Sequence, residues 1–145
     1  MKFYAVIDTN VIVSSVLSSR LDSPVTLIWD YILDGYIVPM YNEEILEEYS
    51  GVLKRSKFNL TEDQVNIIVE AIKLLGEKND PVSSSYNFED LDDKVFYEVA
   101  LSREDSFLVT GNQKHFPVNE RVVSPYDMVQ IVEACFHNSS FLSEP

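Results

Sequence analysis

Cysteine is almost absent. Cys135 stands alone, which excludes an internal disulfide and fits a reducing cytosol. Histidine is nearly as scarce, and His115 and His137 lie too far apart in the chain for metal-ligand spacing. No apolar run approaches membrane-spanning length, and the first residues lack the basic segment and apolar stretch of a signal peptide. The expectation is a soluble, cytoplasmic protein. Positive charge is also short: 11 Lys and Arg face 24 Asp and Glu, a net charge of -13. Such a surface repels nucleic acid unless metal ions neutralise a site or a partner supplies cations. In the plainest case the excess acid only keeps the protein soluble.

What is present suffices for a core. A chain of 145 residues with 46% hydrophobic and 12% aromatic side chains buries roughly 70% of its unfolded surface without staples. There are no repeats and no dividing linker, so residues 1–134 are expected to form one domain, followed by an irregular tail over 135–145.

The chain is organised around its start. Phe3 to Ile7 is an unbroken apolar run, as in a strand covered on both faces at the centre of a parallel sheet. It stops at Asp8, followed by Thr9 and Asn10, and helical spacing begins at Val11. An acid at the carboxyl end of a central strand lies where open α/β sheets place their ligand crevice. Ser23-Pro24 caps a second helix running to Gly35, and Tyr36 to Met40 is a short strand. Asn42 caps a third helix reaching about Arg55, with Ile45, Tyr49, Val52 and Leu53 inward. Thr61-Glu62-Asp63-Gln64 is a capping box opening a fourth helix that buries Val65, Ile68, Val69, Ile72 and Leu75 and ends at Gly76. Val82 is a candidate edge strand. A helix from Leu91, a strand over Ser106 to Thr110, a short strand over Arg121 to Ser124 and a helix from Pro125 to about Ala134 complete the pattern. Strands alternating with helices predict a three-layer α/β/α sandwich on a twisted parallel sheet.

Helical geometry ranks the acids. At about 100° per residue, Glu43 and Glu47 point away from the buried face of the third helix, while Glu44 and Glu48 flank it, Glu48 more closely. Asp90, Asp92 and Asp93 crowd the next helix start, where capping explains up to two of them. Asp93 falls at the border of the stripe Val95, Phe96, Val99 and Ala100, which leaves Asp92 as the cap or a secondary ligand. Three carboxylates at one crevice repel each other unless a cation sits among them. Hard oxygen donors without thiols or paired imidazoles select Mg²⁺ or Mn²⁺. His115, just past a strand end, is either a substrate contact or a loop residue without a role.

Four stretches together resemble the PIN domain family, metal-dependent ribonucleases that include the VapC-like toxins of toxin–antitoxin pairs. They are Val6-Ile7-Asp8-Thr9-Asn10, Glu44-Ile45-Leu46-Glu47-Glu48-Tyr49 with Val52-Leu53, Asp92-Asp93-Lys94-Val95-Phe96 with Ala100, and Leu108-Val109-Thr110-Gly111-Asn112. The last of these resembles the branch that contains toxin components. By that resemblance Asp8, Glu48 and Asp93 match the acidic metal ligands and catalytic residues, with Asp93 preferred over Asp92 for its spacing to Ala100. Asn10 and Thr110 match polar residues near the site. Asn112 departs from the pattern, since many members carry a fourth acid there, which puts a second tightly held metal in doubt. The implied activity is hydrolysis of RNA by a Mg²⁺ or Mn²⁺ enzyme, as a toxin with a cognate antitoxin and often as a homodimer. Arg103, Lys114 and Arg121 are the cations expected near the crevice.

Other classes fit less well. A haloacid dehalogenase-type phosphotransferase needs a second Asp where Asn10 stands. A response-regulator receiver needs an acidic pair at the first strand and an Asp after a later one, but Asp8 stands alone and the strand ending at Met40 has none. A PIN-like fold kept only for binding a protein or RNA, its metal site weakened at Asn112, is the non-catalytic alternative.

Overall fold

The computed structural model describes residues 1–143. Its first strand, β1 (Phe3–Ile7), is central. Ala5, Val6 and Ile7 are all fully buried, and because successive side chains point to opposite faces, both faces of β1 are covered. The other strands are β2 (Ile37–Tyr41), β3 (Glu77–Lys78), β4 (Ser106–Val109) and β5 (Val122–Val123). They form one sheet in the order β3-β2-β1-β4-β5, every pair parallel. Helices α1 (Thr9–Leu17), α2 (Pro24–Leu33), α3 (Glu43–Leu53), α4 (Glu62–Leu75), α5 (Leu91–Ala100) and α6 (Pro125–Ser143) cover it. This is the expected three-layer α/β/α sandwich. No helix among the described residues is long and apolar enough to cross a membrane.

Local chemistry accounts for most boundaries. Ser23 accepts the Thr26 N–H ahead of Pro24, and Asn42 accepts the Ile45 N–H at 3.0 Å. Thr61 and Gln64 exchange both bonds of the capping box. Pro39 lies inside β2, where a missing N–H would break a ladder; β3 joins β2 only at Met40 and Tyr41, beyond it. Gly76 makes that junction possible. A Cβ there would come within 2.3 Å of the Pro39 carbonyl oxygen and 2.5 Å of the Ile72 carbonyl oxygen.

Three expectations change. The edge strand is Glu77–Lys78 and not the stretch around Val82, whose N–H instead donates to the Glu98 carbonyl at 2.9 Å. On α4 only Val65 and Ile72 are buried, with Ile68, Val69 and Leu75 packed at the core's margin. The tail does not turn irregular at Cys135: α6 continues to Ser143, because no glycine or proline interrupts it and Phe136 packs edge-on against Tyr36 with ring centroids 4.7 Å apart. Residues 144 and 145 of that tail lie outside the described residues.

Candidate functional site

The strand order reverses between β1 and β4. From β1 the chain moves outward through β2 and β3, then returns to place β4 on the other flank. Beyond the carboxyl ends of two such strands, the diverging connections leave a crevice. Asp8 follows β1 and Thr110 follows β4. The Asp8 N–H donates to the Val109 carbonyl at 2.9 Å, and the Thr110 N–H donates to Val123 at 2.9 Å, so both residues are fixed by the ends of the ladder.

Asp8 serves two roles at once. As the N-cap of α1 it accepts the Thr9 N–H on Oδ1 at 2.8 Å, and on Oδ2 it accepts the Thr110 hydroxyl at 2.7 Å. It is 8% exposed, and burial pushes its carboxyl above the usual range against the pull of those two donors. Glu48 comes from α3. Its neighbour Tyr49 is 1% exposed and donates its hydroxyl to the Ile7 carbonyl, which locks the helix against the last residue of β1. The Thr9 hydroxyl donates to Glu48 Oε2. Burial raises the Glu48 carboxyl, the Thr9 bond opposes it, and the charges of Asp92, Asp8 and Asp93 raise it further. Asp93, in the first turn of α5, is pushed up to about 6, chiefly by burial and then by Asp8 and Asp90, while His115 pulls the other way. His115 Nδ1 lies 3.5 Å from Asp93 Oδ2.

Asp8, Glu48 and Asp93 line one hollow of about 420 Å³, with Asn10, Asn112 and His115 also in its wall. Thr110 is fully buried beneath it, and its Oγ1 accepts the Asn112 N–H at 3.0 Å. Asp92 does not line the hollow. It is exposed, and the cap of α5 is Asp90, which accepts the Asp92 N–H at 2.9 Å. The expectation that Asp92 caps the helix is therefore corrected: the extended backbone at Asp90 turns that carboxylate toward the free N–H groups of the first turn.

Two expected cations are misplaced. The Arg121 guanidinium donates to the carbonyls of Arg103 at 2.8 Å and Ala100 at 3.0 Å, past the carboxyl end of α5. Arg103 lies 3.5 Å from the ring centroid of Tyr4, near the start of β1, and pairs with Asp105 at 3.0 Å. α5 runs antiparallel to the strands, so both belong to the opposite edge of the sheet. Lys114 alone of the three is near the acids, lining an adjoining hollow with Asp90, Asp93 and His115. Arg55, unassigned from sequence, lines the acid hollow itself. The signal was present, because Glu48, Val52 and Arg55 fall at i, i+4 and i+7 on one helical stripe.

The donor set fits a hard divalent cation. Its anionic groups are carboxylates: burial raises all three, neighbouring acids raise Glu48 and Asp93 further, and Asn10 Oδ1 is a buried acceptor without a hydrogen-bond partner among the described residues. Among the described residues, no three acidic, imidazole or thiol side chains stand close enough together to enclose an ion as placed. Glu48 and Asp93 both stand on helices in the wall of the hollow. The sequence model of the PIN domain matches residues 4–114. No curated protein matches the chain.

Proposed function

The chain belongs to the PIN domain family, a nuclease-type fold, and from that premise we propose that it is a metal-dependent endoribonuclease acting as the toxin of a toxin–antitoxin pair. The observation that supports this most is the convergence of Asp8, Glu48 and Asp93, from three distant segments, on one hollow at the strand-order reversal. Asp8 and Asp93 would hold Mg²⁺ or Mn²⁺, with Glu48 as a third donor directly or through water. The bound ion supplies positive charge against the phosphodiester and makes water a stronger nucleophile near neutral pH.

The rest is done by the chain. In this reading Glu48, raised by burial and three neighbouring acids, orients the attacking water and takes its proton. Thr9 and Thr110 hold the carboxylates by their hydroxyls. Asn10 and Asn112 offer neutral hydrogen-bonding groups to the phosphate, so Asn112 adds no further charge to a crowded anionic site. A protein partner, antitoxin or second copy, is supported by an apolar groove of about 490 Å³ where Trp29, Leu33, Leu60 and Ile67 meet, Ile67 being 69% exposed.

A second reading, a binding module without catalysis, draws on Asn112 and on the open spacing of the acids. Titration with Mn²⁺ in a calorimeter, paired with RNA cleavage by the same preparation, divides the two. Heat that disappears in Asp8→Asn together with cleavage supports the nuclease. Absence of both in the unaltered protein leaves the binding module.

A further inference from the structure

The peptide unit that joins Ile7 to Asp8 is held from both sides. Its N–H donates to the Val109 carbonyl of β4 at 2.9 Å. Its carbonyl, which in a trans peptide points the opposite way, accepts the Tyr49 hydroxyl of α3. β1 pairs with β2 only from Phe3 to Ala5, so the Ile7 carbonyl lies beyond that ladder and a side chain supplies its donor. Ile7 is fully buried and Tyr49 is 1% exposed, which leaves water no access to replace this bond. The tyrosine ring also packs on Phe96 of α5, with centroids 6.1 Å apart. Tyr49 directly follows Glu48, Ile7 directly precedes Asp8, and Phe96 stands nearly one helical turn after Asp93. One buried side chain therefore meets all three segments that carry the acids.

We infer that Tyr49 is a positioning residue: its hydroxyl on Ile7 and its ring on Phe96 set the separations of Asp8, Glu48 and Asp93 at which one divalent ion is shared. This rests on the nuclease reading for the ion. Ile45, Leu46 and Leu53 also hold α3 to the core, but apolar contact has no preferred direction, whereas a hydrogen bond does. The tyrosine bond is thus the contact that fixes the roll of α3 about its own axis. A roll of about 20° would move the Glu48 Cα by about 0.8 Å and its carboxylate by about 2 Å. A small hard cation holds its oxygens at about 2.1 Å in near-ideal geometry, so such a shift removes a donor.

The test sets Tyr49→Phe beside Tyr31→Phe. The second also removes a hydroxyl from a buried tyrosine, one that donates to Glu133 at 2.9 Å and does not line the acid hollow. Amide hydrogen exchange in EDTA reads the bond without metal. In Tyr49→Phe the Asp8 N–H exchanges about tenfold faster relative to Ala5 and Val6 of the same strand, and in Tyr31→Phe that ratio stays within about twofold. Calorimetry, at a temperature where every variant is folded, reads the ion. Mn²⁺ binds Tyr49→Phe about tenfold more weakly and Tyr31→Phe within about twofold of the parent. Phe96→Leu spares the hydroxyl, so it keeps the exchange ratio and weakens Mn²⁺ about threefold; no loss there strikes Asp93 from the set. A tyrosine that only stabilises the core would lower the melting temperature and move neither reading. An unchanged exchange ratio in Tyr49→Phe, an unchanged Mn²⁺ affinity, or an affinity lost equally in Tyr31→Phe overturns the inference. If the parent itself gives no Mn²⁺ heat, the nuclease reading falls, and the exchange ratio alone decides whether Tyr49 holds the peptide before Asp8.

Discussion

The Thr110 hydroxyl donates to Asp8 Oδ2 at 2.7 Å across 102 residues of chain, joining the ends of the two strands that flank the crevice. With the Thr9 N–H on Oδ1, both oxygens of this buried carboxylate have a donor. The folded protein thus holds a charge that burial alone would expel.

Removing that donor should loosen the charge. In Thr110→Val the shape is kept, but Asp8 loses a hydrogen bond to its ionised form, so its carboxyl moves further up. The acidic limb of kcat/KM against pH in Mn²⁺ should shift to higher pH, and Mn²⁺ should bind about three- to tenfold more weakly. The variant should also lose ~1–2 kcal/mol of stability, since the Asn112 N–H loses its acceptor as well. An unmoved limb would show that this bond does not tune the site.

Asp8→Asn separates function from folding. RNA cleavage should fall by at least about a hundredfold and the heat of Mn²⁺ binding should vanish. Asparagine caps a helix about as well as aspartate, and the neutral side chain avoids the cost of a buried charge. Thermal melts in EDTA should therefore show the variant as stable as the parent, or more so by ~0.5–1 kcal/mol. A strongly destabilised variant would mean that Asp8 is chiefly structural.

The metal-free protein should respond to pH opposite to the usual carboxylate trend. Asp93 rises from 3.8 unfolded to about 6 folded, so between those values the folded state binds more protons and stability falls as pH increases. At pH 7 the cost from Asp93 is on the order of 1–2 kcal/mol after discounting for partial exposure. Urea unfolding in EDTA should give higher stability near pH 5 than at pH 7, and Asp93→Asn should flatten the slope. Saturating Mn²⁺ at pH 7 should recover the lost stability, because the ion replaces the protons.

Gly76→Ala tests the approach of α4 to β2. The new methyl would meet the Pro39 and Ile72 carbonyl oxygens far inside contact distance, and both are backbone. A loss of ~2–4 kcal/mol is expected in denaturant titration, with metal binding by the folded fraction unchanged, since the site lies across β1.

What was legible in the sequence was what short-range physics dictates. The apolar run before Asp8, the capping box at Thr61 and the flank position of Glu48 each follow from neighbours a few residues away. β3 was not legible, because Glu77-Lys78 is two charged residues whose pairing depends on Gly76 passing under Pro39. The sites of Arg103 and Arg121 needed the direction of α5, which carries their neighbours to the far edge of the sheet. The choice between Asp90 and Asp92 as cap turned on one backbone conformation among three acids in four positions. Arg55 could have been found by extending the Glu48 stripe one more turn.

Placing β4 beside β1 also sets the point in synthesis at which the site can be completed. A ribosome-bound chain that has not yet emerged past Ser106 has made all three acids, yet β1 still has one bare flank and Asp8 lacks its hydroxyl clasp. Such a fragment exposes an apolar ladder open to wrong pairing. Closure of the site would then wait on the emergence of β4 and Thr110, after the three acids have been made.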